Sequence, residues 1–246
     1  GDEGKWPEAW RHPCLVCIPE EKEGDFRLIA LLHFAYRAWA KEAAREVSGW
    51  MANHRYDWLA FGPGCSAEDA ACDVILETEA AMEKEYYTVT MISDLEKGFA
   101  KVVHSNIAEA AGRYRFPVRI LRLALDMYRA ARRIKCGDAL CQAAFTEQGV
   151  LAGCPIAMGA LCLAILDPMV KFRAEKYEGF QMAKVYVDDF TVVYKFMKLE
   201  YSLKQASAAV HKHLRGEGLI LAADKSKIIT RNKELQMKLE KALIRR

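Results

Sequence analysis

The stretch KVYVDDFTVVYK, residues 184–195, sets two aspartates side by side inside a run that otherwise reads as strand. Adjacent strand residues point to opposite faces, so Asp188 and Asp189 cannot both lie in a core, where an unpaired carboxylate costs several kcal/mol. On the far side Phe190, Val192, Tyr194 and Phe196 alternate with Thr191, Val193 and Lys195. The pattern predicts a strand, a tight turn carrying two carboxylates, and a second strand. Upstream, Tyr87, Val89 and Met91 alternate with Thr88, Thr90 and Ile92 in a strand that ends at Asp94. If the three strands share an antiparallel sheet, Asp94, Asp188 and Asp189 converge at one edge. Such carboxylates repel unless a cation joins them, and a hard divalent ion with oxygen ligands, Mg²⁺ above all, suits them. Two such ions about 3.5–4 Å apart stabilise the attacking and leaving oxygens of a phosphoryl displacement, which is polymerase or nuclease chemistry.

The remaining sequence reads as helices packed on such strands, an α+β arrangement without regular βαβ alternation. A short strand is expected at Leu15–Ile18, a helix from about Leu28 to Met51, and a helix from Ser66 to about Lys84 with Ser66 and Asp69 supplying cap chemistry. Helices follow from about His104 to Tyr114 and after Pro117, the latter with Arg119, Arg122, Asp126, Arg129 and Arg133 on one face. RIKCGDALCQAAF, residues 133–145, predicts a hairpin around Gly137-Asp138. A buried helix should run to about Glu175, an amphipathic one from about Leu203 to Arg215, and LILAADKSKIIT, residues 219–230, reads as strand.

In 246 residues the chain is 52% hydrophobic, enough for a core, and carries a net charge of only +3. That balance tolerates a polyanionic partner without demanding one. Eight cysteines are too few for a disulfide scaffold; Cys14 and Cys17 form one C-x-x-C in a strand-like run and read as buried thiols. No basic-then-apolar leader is visible. The uncharged run at 149–166 holds Gly153, Pro155 and Gly159 in its first half, so a loop entering a buried helix is expected rather than a membrane span.

Taken in order, ISDLEKGF (92–99), GVLAGCP (149–155), YVDDF (186–190) and GLILAADKSKII (218–229) resemble the palm motifs of reverse transcriptases, especially the non-LTR retrotransposon and group II intron branch. CIPEEKEGDFRLIALLHFAYRAWAK (17–41) is similar to the fingers segment of that family, and FGPGCSAEDAA (61–71) to its glycine-rich stretch. The resemblance implies a right-hand polymerase fold: a fingers-like region at 1–85, a palm at 86–232, and a tail at 233–246 with the thumb missing, part of a larger polyprotein. It implies an RNA-directed DNA polymerase that takes an RNA template, a DNA or RNA primer and dNTPs, with two Mg²⁺ ions, Mn²⁺ being a possible substitute.

By the same resemblance Asp94, the backbone carbonyl of Leu95 and Asp188 are metal ligands, and Asp189 is the supporting acid. Phe99 is the gate that excludes a 2′-hydroxyl. Arg27 clamps the triphosphate, Lys225 protonates the leaving pyrophosphate, and Gly153, Pro155 and Tyr186 line the template-primer and dNTP site. Lys22 is a further basic candidate beside Glu20 and Glu21. The sequence departs from the family at Ala100, Ala152 and Ala157-Met158, which strips hydrogen bonds that position template and primer. A degenerate or domesticated domain that binds RNA without catalysis is therefore the rival expectation.

Overall fold

A computed structural model describes residues 4–19, 24, 26–177, 179–196, 201–222 and 225–243. In chain order the strands and helices are β1 (Cys14–Pro19), β2 (Phe26–Leu31), α1 (Phe34–Asn53), α2 (Ala67–Glu83), β3 (Tyr87–Asp94), α3 (Gly98–Lys101), α4 (His104–Arg113), α5 (Val118–Tyr128), β4 (Arg133–Cys136), β5 (Ala139–Leu140), α6 (Ala157–Ala174), β6 (Phe180–Tyr186), β7 (Asp189–Phe196), α7 (Tyr201–Gly216), β8 (Lys227–Ile229) and α8 (Lys233–Leu243). They divide between two compact units, Gly1–Met51 with Phe99–Ala164, and Ala52–Gly98 with Ile165–Arg246.

In the first unit a four-stranded sheet has the order β2-β1-β4-β5. β1 and β2 are antiparallel from Cys14↔Leu31 to Pro19↔Phe26, and β4 lies parallel to β1. Leu28 to Leu31 were expected to open a helix. Instead they complete the β1 ladder, and the helix starts only at Phe34, after the His33 Nδ1 accepts the Ala35 N–H at 3.3 Å. Short apolar runs carry no period that separates strand from helix, so the ladder decides. α1 then buries Tyr36, Ala40, Val47, Trp50 and Met51 at helical spacing. The Trp50 indole N–H donates to the Tyr114 carbonyl at 2.8 Å, and its ring meets Phe116 edge-on.

α5 buries Ile120, Leu121, Ala124, Leu125, Met127 and Tyr128 and leaves Arg119, Arg122 and Arg129 exposed, as its amphipathic pattern requires. Two members of the expected stripe fall away from it. Arg133 opens β4, and Asp126 accepts the Trp6 N–H at 2.8 Å and pairs with Arg11 at 3.3 Å. The β4–β5 hairpin turns at Gly137, at φ 58°, as predicted. Gly159, in the part of α6 that belongs to this unit, is required by packing: a Cβ there would stand 2.3 Å from Val47 Cγ1. All eight cysteines are free thiols.

In the second unit a fully antiparallel sheet runs β6-β7-β3-β8. Val89, Met91, Phe190, Val192, Val193, Tyr194 and Ile228 are buried in its core. Trp58, Leu59 and Ala60 extend the sheet beside β6, where Val185 N–H donates to Trp58 O at 2.7 Å and Ala60 N–H to Val185 O at 2.9 Å. α2 starts where Ser66 caps it, Oγ accepting the Asp69 N–H at 3.0 Å, and Asp73 of that helix pairs with Lys184 of β6. The single strand expected across 219–230 is two pieces: Leu221 bridges Leu95, and only Lys227–Ile229 pairs with β3. Ser226 N–H donates to Ala222 O at 3.1 Å between them. Among the described residues no helix is long and apolar enough to cross a membrane.

Candidate active site at the acidic hairpin

β6 and β7 close at the pair Tyr186↔Asp189, leaving Val187 and Asp188 as the two-residue loop. Such a loop needs a left-handed residue to match strand twist, and Val187 supplies it at φ 59°, a conformation strained for a β-branched side chain. That strain is retained because the surrounding ladder fixes the loop. The Asp188 carbonyl accepts the Leu95 N–H at 2.8 Å, the Asp94 carbonyl accepts the Ala222 N–H at 2.7 Å, and Glu96 N–H donates to Ile220 O at 2.7 Å. The end of β3, the hairpin loop and the segment at 220–222 are thus knitted by main-chain bonds. Gly98 allows this closeness, since a Cβ there would lie 3.1 Å from Leu95 Cβ and 3.5 Å from Asp188 Cβ.

Asp94 and Asp189 are direct cross-strand partners, and Asp188 is the loop residue beside them. Partial burial, then the charges of Asp188 and Asp94, push the Asp189 carboxyl above the usual carboxylate range, while Lys225 opposes them. The Lys225 ammonium lies 3.0 Å from Asp94 Oδ2. A lysine cation therefore occupies the position at which these carboxylates call for positive charge. The chemistry of the donor set fits a hard divalent ion: all oxygen, anionic, and mutually repelling without one. Among the described residues no group of three or more His, Cys, Asp or Glu side chains is already arranged to hold a metal. Tyr186, 39% exposed, stands on the hairpin opposite Asp189, and the Leu95 side chain is buried, with its N–H committed to Asp188.

Arg27, Phe99, Gly153 and Pro155 belong to the first unit. Arg27 is exposed on β2 opposite Ile18. Phe99 is half-buried, and its carbonyl accepts the Val150 N–H at 2.7 Å. Gly153 sits at φ 97° in an exposed loop ahead of the exposed Pro155. Ala152, where the family places a glutamine, uses its carbonyl to accept the Ala30 N–H of β2 at 2.9 Å. Lys22 lies outside the described residues. The sequence reading missed the anchor of this loop: the Cys154 thiol accepts the Tyr128 hydroxyl at 3.3 Å and contacts the Tyr36 hydroxyl at 3.2 Å. Burial, then the neighbouring thiol, raises both phenols well above their ordinary range, so both stay protonated. Their only sequence signal was two tyrosines on otherwise apolar helix faces.

No curated protein sequence matches this chain. Among solved structures it is similar to telomerase from Candida tropicalis in complex with a TWJ fragment of telomeric RNA, at 16% identity and TM-score 0.67 over 91% of this chain and 41% of that one. Telomerase from Candida albicans with the corresponding RNA fragment aligns at 12% identity and TM-score 0.63, over 93% of this chain and 44% of the other. The Candida tropicalis enzyme truncated from its C-terminal domain aligns at 17% identity and TM-score 0.60, over 90% of this chain and 50% of the other. The chain spans half or less of the length of these structures, and at such identities they establish the fold, the right-hand polymerase arrangement of helices and antiparallel sheet. Residues 18–238 match the family model described as reverse transcriptase (RNA-dependent DNA polymerase). With nearly the whole length matched and the acidic hairpin in register with Asp94, this chain belongs to the reverse transcriptase family.

Proposed function

We propose that the chain is the fingers and palm portion of a retroelement RNA-directed DNA polymerase, which adds dNTPs to a primer 3′-OH on an RNA template by two-metal phosphoryl transfer. The observation that carries the reading is the register of Asp94 opposite Asp189 with Asp188 in the adjoining loop. Asp94, Asp188 and the Leu95 carbonyl are the groups that would hold the Mg²⁺ ions, and Asp189 supports them. Bound divalent ions supply positive charge against these carboxylates and against charge developing on the phosphoryl oxygens.

The remaining roles fall to the chain's own groups. The primer 3′-hydroxyl gives up its proton to solvent as its oxygen bonds to the α-phosphate, the bond to the bridging oxygen breaks, and pyrophosphate leaves. Lys225, its ammonium at the carboxylates, delivers a proton to that leaving group. Arg27 grips the triphosphate with a guanidinium fork. Phe99 packs under the sugar, Tyr186 faces the primer end, and the Gly153–Pro155 loop lets backbone approach the new base pair. Exposed Arg119, Arg122 and Arg129 meet the phosphate backbone in a sequence-blind, salt-dependent way. An RNA template agrees with the telomerase likeness, since two of those structures hold a fragment of telomeric RNA.

Primer extension with Mg²⁺ on matched RNA and DNA templates tests the reading. Extension on RNA that disappears in Asp188→Ala supports it, and equal extension by that variant refutes the site. A second reading has its own observation: Ala100, Ala152 and Ala157-Met158 lack the family's polar groups. It describes a degenerate domain that binds RNA without catalysis, and RNA binding with no extension at any Mg²⁺ or Mn²⁺ concentration identifies it.

A further inference from the structure

His104, the first residue of α4, is 1% exposed, yet its imidazole is not a passive core group. Its Nε2 lies 3.0 Å from the Gly149 carbonyl oxygen. A carbonyl only accepts, so Nε2 carries the hydrogen; Nδ1 is buried with no hydrogen-bond partner among the described residues. Gly149 is itself buried, at φ 92°, and a Cβ there would stand 3.0 Å from the Ala100 carbonyl oxygen. Only glycine fits, and its inward-turned carbonyl needs a donor.

Three main-chain bonds join the same two segments. Val150 N–H donates to Phe99 O at 2.7 Å, Gly149 N–H to Val102 O at 2.8 Å, and His104 N–H to Glu147 O at 3.1 Å. Segment 147–150 leads directly into the loop that Cys154 anchors, and segment 99–104 begins with the gate aromatic.

We propose that His104 is a positioning residue for sugar selection: through its Nε2–H it pins Gly149, and so fixes the segment behind the Gly153 loop to the segment that starts at Phe99. The proposal rests on the reading of Phe99 as the gate. Charging the ring adds an Nδ1–H with no acceptor, in a site where burial, then Arg129 and Arg132, hold the imidazole below its ordinary pKa; the bond to Gly149 and the charge of Glu147 oppose this only in part. The Arg132 guanidinium is fixed nearby by donation to the Tyr128 carbonyl.

Two variants separate the clamp from mere filling. His104→Gln keeps a donor near the Nε2 position and cannot titrate; His104→Leu keeps bulk and loses the donor. Amide hydrogen exchange at Gly149 and Val150 reads the clamp without any need for activity. Single-nucleotide extension with a dNTP against its rNTP reads the gate. A lost hydrogen bond of about 1 kcal/mol predicts roughly fivefold faster exchange and roughly fivefold weaker dNTP discrimination in His104→Leu, through the KM for dNTP more than kcat, with His104→Gln close to wild type. If the leucine chain does not fold, His104→Phe, which keeps a ring and loses the donor, reads the same bond. Unchanged exchange, or equal losses in Gln and Leu, overturns the clamp. A wild type that never extends a primer refutes the polymerase reading and the sugar-selection role with it, while the exchange result still decides the clamp.

Discussion

Asp189→Asn offers a direct test of the crowded carboxylates, because it removes one negative charge and keeps the shape. Asp189 stands directly opposite Asp94 in the β3–β7 ladder and next to Asp188. Like charges directly opposite across strands destabilise by roughly 0.2–1 kcal/mol. Asp189, although partly desolvated by its neighbours, keeps much of its surface in water and Lys225 offsets Asp94, so solvent screening keeps the expected gain to about 0.5 kcal/mol. In EDTA the variant should therefore melt about 1–2 °C above wild type for a chain of this size. On the proposed metal role Mg²⁺ should reverse the order: an ion bound only by the folded state adds about 2.7 kcal/mol at a hundredfold excess over its Kd, and loss of the supporting Asp189 charge should forfeit part of that gain. Thermal unfolding of wild type, Asp189→Asn and Asp188→Ala in EDTA and across a Mg²⁺ titration measures both effects. A variant less stable than wild type in EDTA, or an Asp188→Ala chain with the full Mg²⁺ gain, would refute the reasoning.

Other outcomes follow from local contacts. Gly159→Ala should cost about 1–3 kcal/mol, because Val47 is stiff at χ1 and has nowhere to move; a denaturant midpoint equal to wild type refutes the close packing. Val187→Gly should relieve the left-handed strain and raise stability by about 1 kcal/mol in denaturant unfolding, and a lower midpoint would show that the valine is unstrained. Ser66→Ala removes the cap of α2 and should lower stability by about 1 kcal/mol, a melting shift of about 2–4 °C. His104 has a folded-state pKa below that of the unfolded chain, so the unfolded state binds more protons in the window between them. The wild type's advantage over His104→Gln is thus complete above about pH 6.5 and shrinks as pH falls through that value towards the lower folded pKa; a difference that grows on acidification contradicts the buried neutral ring.

Read alone, the residues determined the elements with a strong period and the chemistry that no core tolerates. β3 and the acidic hairpin were legible because eight-residue runs rich in β-branched and aromatic residues read as strand, and because adjacent aspartates in such a run must sit at a turn or an edge. The cap at Ser66 and the turn at Gly137 were local signals of the same kind. Phe26–Leu31 was not legible: four or five apolar residues suit strand or helix alike, and only pairing with β1 chose. Tertiary structure alone decided that Asp94 meets Asp189, that Lys225 reaches Asp94, and that His104 meets Gly149, 45 residues away. Such contacts join groups distant in sequence, and no local propensity encodes them. They form when burial of the apolar faces of β3, β7 and α4 brings distant segments together.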